Sequence, residues 1–141
     1  MPMTNAAVFP QGPATEIATL TAPTAITSRA NISGTTGLVA LTAAPVSNPK
    51  RVDAIVIKSK GTSVAGILFV WLYDGTTSVL RDEIAITAAT PDSVSTASFS
   101  TAKSYVSVAL EGSIQLKLGQ QLFVSTTVTQ DLNVFATTGQ Y

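Results

Sequence analysis

The run ILFVWLY, residues 67–73, contains only apolar or aromatic residues and leads directly into Asp74-Gly75. Because an Asp-Gly pair favours a tight hairpin turn, the run predicts a strand that returns along residues 78–87. A strand with one face in water alternates apolar and polar residues, and this one does not. We therefore expect both of its faces to be covered. One face should meet an opposing sheet, and the other needs cover from the 88–103 loop, the N-terminal arm or another subunit.

The remainder of the chain also predicts short strands. Apolar segments recur between breaks rich in Gly, Pro, Ser and Thr, and the helical period is absent. A short strand is predicted at 16–21, and eight more at 38–44, 51–59, 67–73, 78–87, 104–110, 113–118, 121–128 and 131–137. About eight strands with a long central loop predict an all-β fold, a single-domain β-sandwich that is jelly-roll-like.

The first 15 residues differ from the rest of the chain. Three prolines fall within them, and each removes a backbone donor that a central strand needs. We therefore predict an extended N-terminal arm over 1–15 and the β-sandwich domain over 16–141. Val8, Phe9 and Pro10 are the arm residues expected to dock on a partner, since such a segment becomes ordered on binding.

The composition leaves little chemistry for an active site. The absence of cysteine and histidine excludes disulfides, thiolate metal sites and the commonest general base. A Ser–Lys pair within KSKGTS (58–63) could activate a hydroxyl, but in a strand and turn these residues are better read as surface groups. Asp82 and Glu83 are adjacent on a strand, so they point to opposite faces and do not form the facing pair of a glycosidase. We expect no catalytic residue, no metal site, no cofactor and no enzymatic activity.

Charge is sparse and balanced in this sequence. Eight basic and eight acidic residues give a net charge of zero, and 11% of the residues are charged, against about 25% in typical soluble domains. Nucleic-acid binding requires a net basic surface, and no stretch reaches the roughly 18 apolar residues of a membrane helix. We therefore expect neither nucleic acid nor membrane as a partner. A surface with so little charge is poorly protected against self-association.

The few charges are divided between two segments. Residues 50–60 carry a net +3 and residues 74–92 a net −3. This division favours head-to-tail contact between copies or, equally, pairing of neighbouring strands within one chain. The candidate subunit-interface residues are Leu68, Val70 and Leu72 of the apolar run, with Lys58, Lys60, Asp82 and Glu83 of the charged segments.

Several stretches resemble a family of small virion proteins of tailed phages and prophages. They are TNAAVFPQ (4–11), GTSVAG (61–66), YDGTTSVLRDEIAIT (73–87), TPDS (90–93) and LNVFATTGQY (132–141). The resemblance covers most of the chain, and the sequence departs from the family in its short, Ser-rich segment 93–104. It implies a head decoration (cement) protein or another virion component, similar to the jelly-roll or β-barrel trimers of capsid surfaces.

The resemblance also implies partners and a location. We expect a homotrimer on the capsid surface of the virion, made in the host cytoplasm, that binds the major capsid protein and stabilises the head by bridging capsid subunits. The arm residues would then contact the capsid or a neighbouring subunit. The alternative is a carbohydrate-binding or host-attachment module of a fiber or tail. Exposed aromatic residues in a long loop would favour that alternative, and the 88–103 loop contains only Phe99.

Overall fold

A computed structural model describes residues 11–106 and 113–140 of the chain. These ranges contain ten β-strands and no helix, so no described segment is a helix that could cross a membrane. The strands are β1 (Gln11–Leu20), β2 (Ile32–Ser33), β3 (Val39–Ala40), β4 (Lys50–Ser59), β5 (Gly66–Tyr73), β6 (Thr77–Ile86), β7 (Ser100–Ser104), β8 (Ile114–Leu116), β9 (Gln121–Thr126) and β10 (Leu132–Gln140).

The strands form two antiparallel sheets that pack face to face. Sheet A has the order β1-β10-β4-β7. β7 and β8 pair with the same edge of β4, β8 with residues 50–52 and β7 with residues 54–58. Sheet B has the order β2-β6-β5-β9-β3. Strands from opposite ends of the chain lie side by side, β1 against β10 and β3 against β9, which is how a jelly roll wraps two four-stranded sheets. The predicted all-β, jelly-roll-like sandwich is confirmed.

The apolar strand β5 is covered on both faces by its own chain. Leu68 and Val70 lie in the core between the sheets and have no exposed surface, and Leu72 packs against that core. Phe69 and Trp71, on the opposite face, are also fully buried. The expectation that Leu68 and Val70 contact a second subunit is therefore wrong, because neither side chain can be reached from outside a single folded chain.

The outer face of β5 is covered by the segment between β1 and β3, residues 21–38, rather than by the 88–103 loop. This segment forms a bridge from Ala25 to Thr126 of β9 and ends in the pairing of β2 with β6. Between these points the Arg29 guanidinium lies 5.3 Å from the centre of the Phe69 ring and forms a 2.7 Å ion pair with Glu83. We call residues 21–38 the strap.

The N-terminal boundary also differs from the prediction. β1 begins at Gln11, five residues before the predicted start, and pairs with β10 along its length. The pairing register shifts between Gln11 and Ala14, which accommodates Pro13 because a proline at a bulge needs no ladder donor. Residues 11–15 therefore belong to the sandwich and not to an arm. Val8, Phe9 and Pro10 lie outside the described residues, as does most of the predicted strand 104–110.

Two β-bulges interrupt the alternation of β4 and β6. Strict alternation predicts Val52, Ala54 and Val56 on one face of β4, and Leu80, Ile84 and Ile86 on one face of β6, and both predictions are partly wrong. The register of β4 against β10 skips Asp53, so Val52 and Ile55 both point into the core although their spacing is odd. The register of β6 against β5 skips Arg81, which leaves Leu80 opposite Trp71 on the outer face while Ile84 lies opposite Leu68 on the inner face. A bulge shifts the two-residue alternation by one position, and the sequence carries no mark of it.

Candidate functional site

The charged residues proposed for a subunit interface already have partners within the chain. Lys58 Nζ donates to the Ser98 carbonyl at 3.3 Å, and Lys60 Nζ lies 3.4 Å from Thr21 Oγ1. Glu83 pairs with Arg29. The basic segment forms β4 of sheet A and the acidic segment contributes β6 to sheet B, so these strands are not paired side by side.

Asp82 and Glu83 point to opposite faces of β6, as predicted. Asp82 turns inward and links the two sheets, because it accepts a 2.6 Å hydrogen bond from the Tyr105 hydroxyl and a 2.7 Å contact from Lys103 Nζ. Glu83 turns outward to the strap through Arg29. Among residues 11–106 and 113–140, no three acidic side chains come close enough together to hold a metal ion.

The Asp82 contacts predict a pH-dependent contribution to stability. Burial opposes ionisation, but the hydrogen bonds from Lys103 and Tyr105 outweigh it and hold the pKa of Asp82 below its usual range. A carboxylate with a lowered folded-state pKa stabilises the fold above its unfolded pKa of about 3.9, and loses that contribution as the pH falls through the folded value.

We expect Asp82→Asn to be less stable than the parent chain near neutral pH, with the gap closing in acid. Thermal melts of both proteins between about pH 6 and pH 2 would measure it. The difference between the two proteins is the readout, since Asp74 and Asp92 also have lowered pKa values and titrate in both. A gap that stays constant over this range would contradict the assignment of the stabilising contacts to ionised Asp82.

An open seam between β1 and β3 is the candidate binding site of the described chain. β1 is the edge strand of sheet A and β3 the edge strand of sheet B. A groove of about 370 Å³ runs between them, lined by Ile17 on one side and by Ala40, Thr42, Ala43 and Gln121 on the other. Ile17 is 58% exposed, which is unusual for a large apolar side chain in the middle of a strand.

A buried ion pair closes the inner side of the seam. Glu16 lies on the same face of β1 as the core residues Ala18 and Leu20. Its carboxylate accepts hydrogen bonds from Lys50 Nζ at 3.0 and 3.1 Å and from the Ala43 backbone N–H at 2.8 Å. Lys50 Nζ also donates to the Ala43 carbonyl at 2.8 Å. The side chains of Lys50 and Glu16 are only 7% and 19% exposed, so the pair fixes β1, β4 and the chain after β3 to one another.

Two further apolar side chains are exposed in the loops that follow the seam. Val46 is 88% exposed and Leu118 is 54% exposed. Their loops are joined by a hydrogen bond from the Gly119 N–H to the Pro45 carbonyl. With Ile17, these residues are among the large apolar side chains that the described chain leaves exposed.

The sequence pattern does not predict the seam. It predicts that Ile17 lies inside a short strand and gives no role to Glu16. A usable signal does exist in EIATL, residues 16–20, because Glu16, Ala18 and Leu20 share one face of a strand. A carboxylate in phase with core residues predicts a buried cationic partner, but nothing in the sequence identifies Lys50 as that partner.

A second depression lies in loops outside the seam. Lys60, Thr62, Val64, Thr129, Gln130 and Asp131 line a cleft of about 500 Å³. Gln130 accepts a hydrogen bond from the Val64 N–H and donates one to the Val64 carbonyl, each at 3.1 Å. Asp131 accepts a hydrogen bond from the Ala22 N–H. The cleft is polar, and no aromatic ring is among the described residues that line it.

Comparisons with known proteins do not place this chain in a family. No family model, no curated protein and no solved structure matches it.

Proposed function

We propose that this chain is a structural protein of a tailed-phage or prophage virion, a capsid decoration (cement) protein that stabilises the head by bridging capsid subunits. The proposal starts from the resemblance of its sequence stretches to that family. The observation that supports it most is the open seam, where the exposed Ile17 lies on an edge strand whose only charged side chain, Glu16, points inward to Lys50. Residues 1–10 join the domain at the first residue of that strand. Such a surface suits protein–protein contact.

The mechanism is additional interface area where capsid subunits meet. A sandwich supported by its own core can bind without refolding, and an extended segment that becomes ordered on a partner adds apolar contacts. In this proposal the protein has no enzymatic activity, needs no cofactor and is located on the capsid surface after synthesis in the host cytoplasm. Its partners are the major capsid protein and further copies of itself.

The test is binding to capsids. Purified protein is incubated with capsids assembled from the major capsid protein encoded in the same genome, and the particles are sedimented. We expect saturable co-sedimentation and an increase in the temperature at which the capsids open. Electron cryo-microscopy of the complex would then locate the protein. Protein that stays in the supernatant at every concentration would contradict the proposal.

Deleting residues 1–10 is expected to separate binding from folding. Because β1 starts at Gln11, the deletion removes no strand of the described sandwich, and the melting temperature should change little. The amount bound to capsids should fall, since Val8 and Phe9 are removed and burying such side chains contributes about 1.5–3 kcal/mol each. Val94→Ser, a change in an exposed loop residue, is the matched control. A truncated chain that unfolds would show that the arm is part of the domain's core.

Self-association, as a trimer in this proposal, is tested by light scattering. The apolar surface of Ile17, Val46 and Leu118 and the low charge of the chain favour it. We expect a mass of about three chains at tens of micromolar. A single species at 14.5 kDa would exclude a stable trimer.

The second candidate function is glycan binding at a fiber or tail. The specific observation in its favour is the polar cleft beside Lys60 and Asp131, whose volume falls within the range of small-ligand sites. The absence of an aromatic ring from the described lining makes it the weaker candidate, because sugar sites use such rings for stacking. Binding on a glycan array that is lost with Asp131→Ala would favour this function over the first.

A further inference from the structure

The outer edge of β1 is unusually suited to pairing with another strand. Within the described residues β1 pairs only with β10, so its other edge has no strand partner. Proteins commonly protect such edges with charged side chains, prolines or bulges. Here Pro13 and the bulge protect only the start of β1. The one charged side chain, Glu16, points inward to Lys50, and the outward residues Thr15, Ile17 and Thr19 are β-branched and uncharged.

The groove beside this edge has room for apolar side chains. It separates β1 from β3, whose own outer edge also lacks a strand partner among the described residues. Ile17 and the exposed Ala40 and Ala43 provide apolar surface on its two sides. An extended segment lying on β1 would direct alternate side chains toward this groove. The groove therefore fits an extended, uncharged segment with large apolar residues.

Residues 1–10 of this chain have that character. The segment MPMTNAAVFP contains no charged residue and carries Val8 and Phe9. Fully extended it spans about 33 Å, more than the roughly 20 Å between Ala14 and Leu20 along β1. It joins the domain at Gln11, the first residue of β1.

A chain's own N-terminal segment is poorly placed to occupy its own edge. Gln11 is already paired with Gln140 in sheet A, so a strand folding back along β1 would have to reverse beside Pro10 and Pro13. A tight antiparallel hairpin closes with backbone N–H donors at the residues that flank its turn. Neither proline has such a donor. The segment of a second copy is free of this restriction.

We propose that residues 4–10 of one copy bind as an added strand on the β1 edge of a second copy, with Phe9 in the groove beside Ile17 and its neighbour Val8 on the opposite face of the added strand. The contact is heterologous, since the arm of one chain meets the groove of the next, and such contacts form a ring when the rotation between successive copies closes. The inference rests on the self-association in the proposed function and names the surfaces that carry it. It assigns the arm to another copy of this chain, with the capsid as the competing occupant.

Crosslinking between full-length chains tests the exchange. Because the chain has no cysteine, introduced thiols are the only ones present. Ala7→Cys marks the arm without removing Val8 or Phe9, and Ala40→Cys marks the groove. The two cysteines are placed on separate, differently tagged chains, which are mixed, allowed to exchange and treated with a short bis-maleimide. We expect a product that joins the two tags. Val94→Cys in place of Ala40→Cys should give about tenfold less, because Val94 is exposed in a loop that does not line the groove.

A second substitution shows whether the groove itself binds the arm. Adding Ile17→Lys to the Ala40→Cys chain should reduce the yield of the joined product about tenfold, as expected when one apolar contact is replaced by a charge. Val64→Lys, a similar change at an exposed residue outside the groove, should leave the yield unchanged. A yield that does not respond to Ile17→Lys would overturn the proposed binding surface.

Two other outcomes overturn the exchange. Crosslinking within a single chain that carries both cysteines, without a product between singly substituted chains, would show that each arm covers its own edge. No product in either arrangement would show that the arm does not occupy the groove. Sedimentation of the same chains with capsids distinguishes the failures. If the chains bind capsids but give no joined product, the arm exchange is wrong and the proposed function stands. If they give the joined product but do not bind capsids, the exchange stands and the proposed function is wrong.

Discussion

Replacing Trp71 with alanine is expected to reduce the free energy of unfolding by about 3–5 kcal/mol. Trp71 is fully buried on the outer face of β5 and packs edge-on against Phe69, with the ring centres 5.8 Å apart. Removing it leaves a cavity on the outer face of sheet B and takes away the ring contact with Phe69, the residue on which Arg29 of the strap lies. Denaturant unfolding monitored by far-ultraviolet circular dichroism measures the loss.

Two control variants test this account of Trp71. Trp71→Phe keeps an aromatic ring but removes the 2.8 Å hydrogen bond from Nε1 to Ser125 Oγ, so an intermediate loss of about 1–3 kcal/mol is expected from the unsatisfied hydroxyl. Leu118→Ala, at an exposed site, should change stability by no more than about 0.5 kcal/mol. If Trp71→Ala were no more damaging than Leu118→Ala, the strap could not be the cover of a buried face.

Breaking the ion pair at the seam is expected to have the second large effect. Glu16→Ala leaves the Lys50 ammonium buried with only the Ala43 carbonyl as a described partner. Removing one member of a buried pair typically costs 3–5 kcal/mol. We expect about 3 kcal/mol here, at the low end, because the Glu16 side chain keeps 19% of its exposure and some water can reach the site. Urea unfolding at neutral pH is the measurement.

The double variant Glu16→Leu with Lys50→Met separates the two possible reasons for that loss. If the cost comes from an uncompensated buried charge, replacing both members with apolar residues should recover most of the stability. If instead the pair itself were the main source of stability, the double variant would be at least as unstable as Glu16→Ala alone. A stable Glu16→Ala protein would contradict the buried position of Lys50.

Apart from its bulge at Arg81, the β5–β6 hairpin follows from local sequence. An apolar run of seven residues, Asp74-Gly75 and a second alternating run predict two strands and a tight turn, and these are β5 and β6. Gly75 has a φ of 105°, which glycine adopts without strain, and Asp74 accepts the Thr76 and Thr77 backbone N–H groups. Both requirements lie within four consecutive residues, so no tertiary contact was needed to recognise them.

The phase of β4 and β6 could not be read in the same way. The bulge at Asp53 lies in the pairing of β4 with β10, which is distant in sequence. The bulge at Arg81 lies within the β5–β6 hairpin itself, and no residue type in that stretch marks its position. The number of residues opposite each other is set by this pairing, so an alternation counted from the sequence is correct only up to the first bulge.

Local sequence patterns predict the class of the fold, the positions of most of its longer strands and the need to cover both faces of β5. What covers those faces is seen only in the folded chain. Sheet A covers Leu68 and Val70, and the strap covers Phe69 and Trp71. Composition and alternation indicate that a face must be buried, but they do not indicate what buries it. The hydrophobic effect depends on the apolar area removed from water and is the same for any apolar cover. The choice among a loop, an arm and a subunit depends on contacts between residues far apart in the chain, such as Arg29 with Glu83 and Glu16 with Lys50, and no local pattern encodes these.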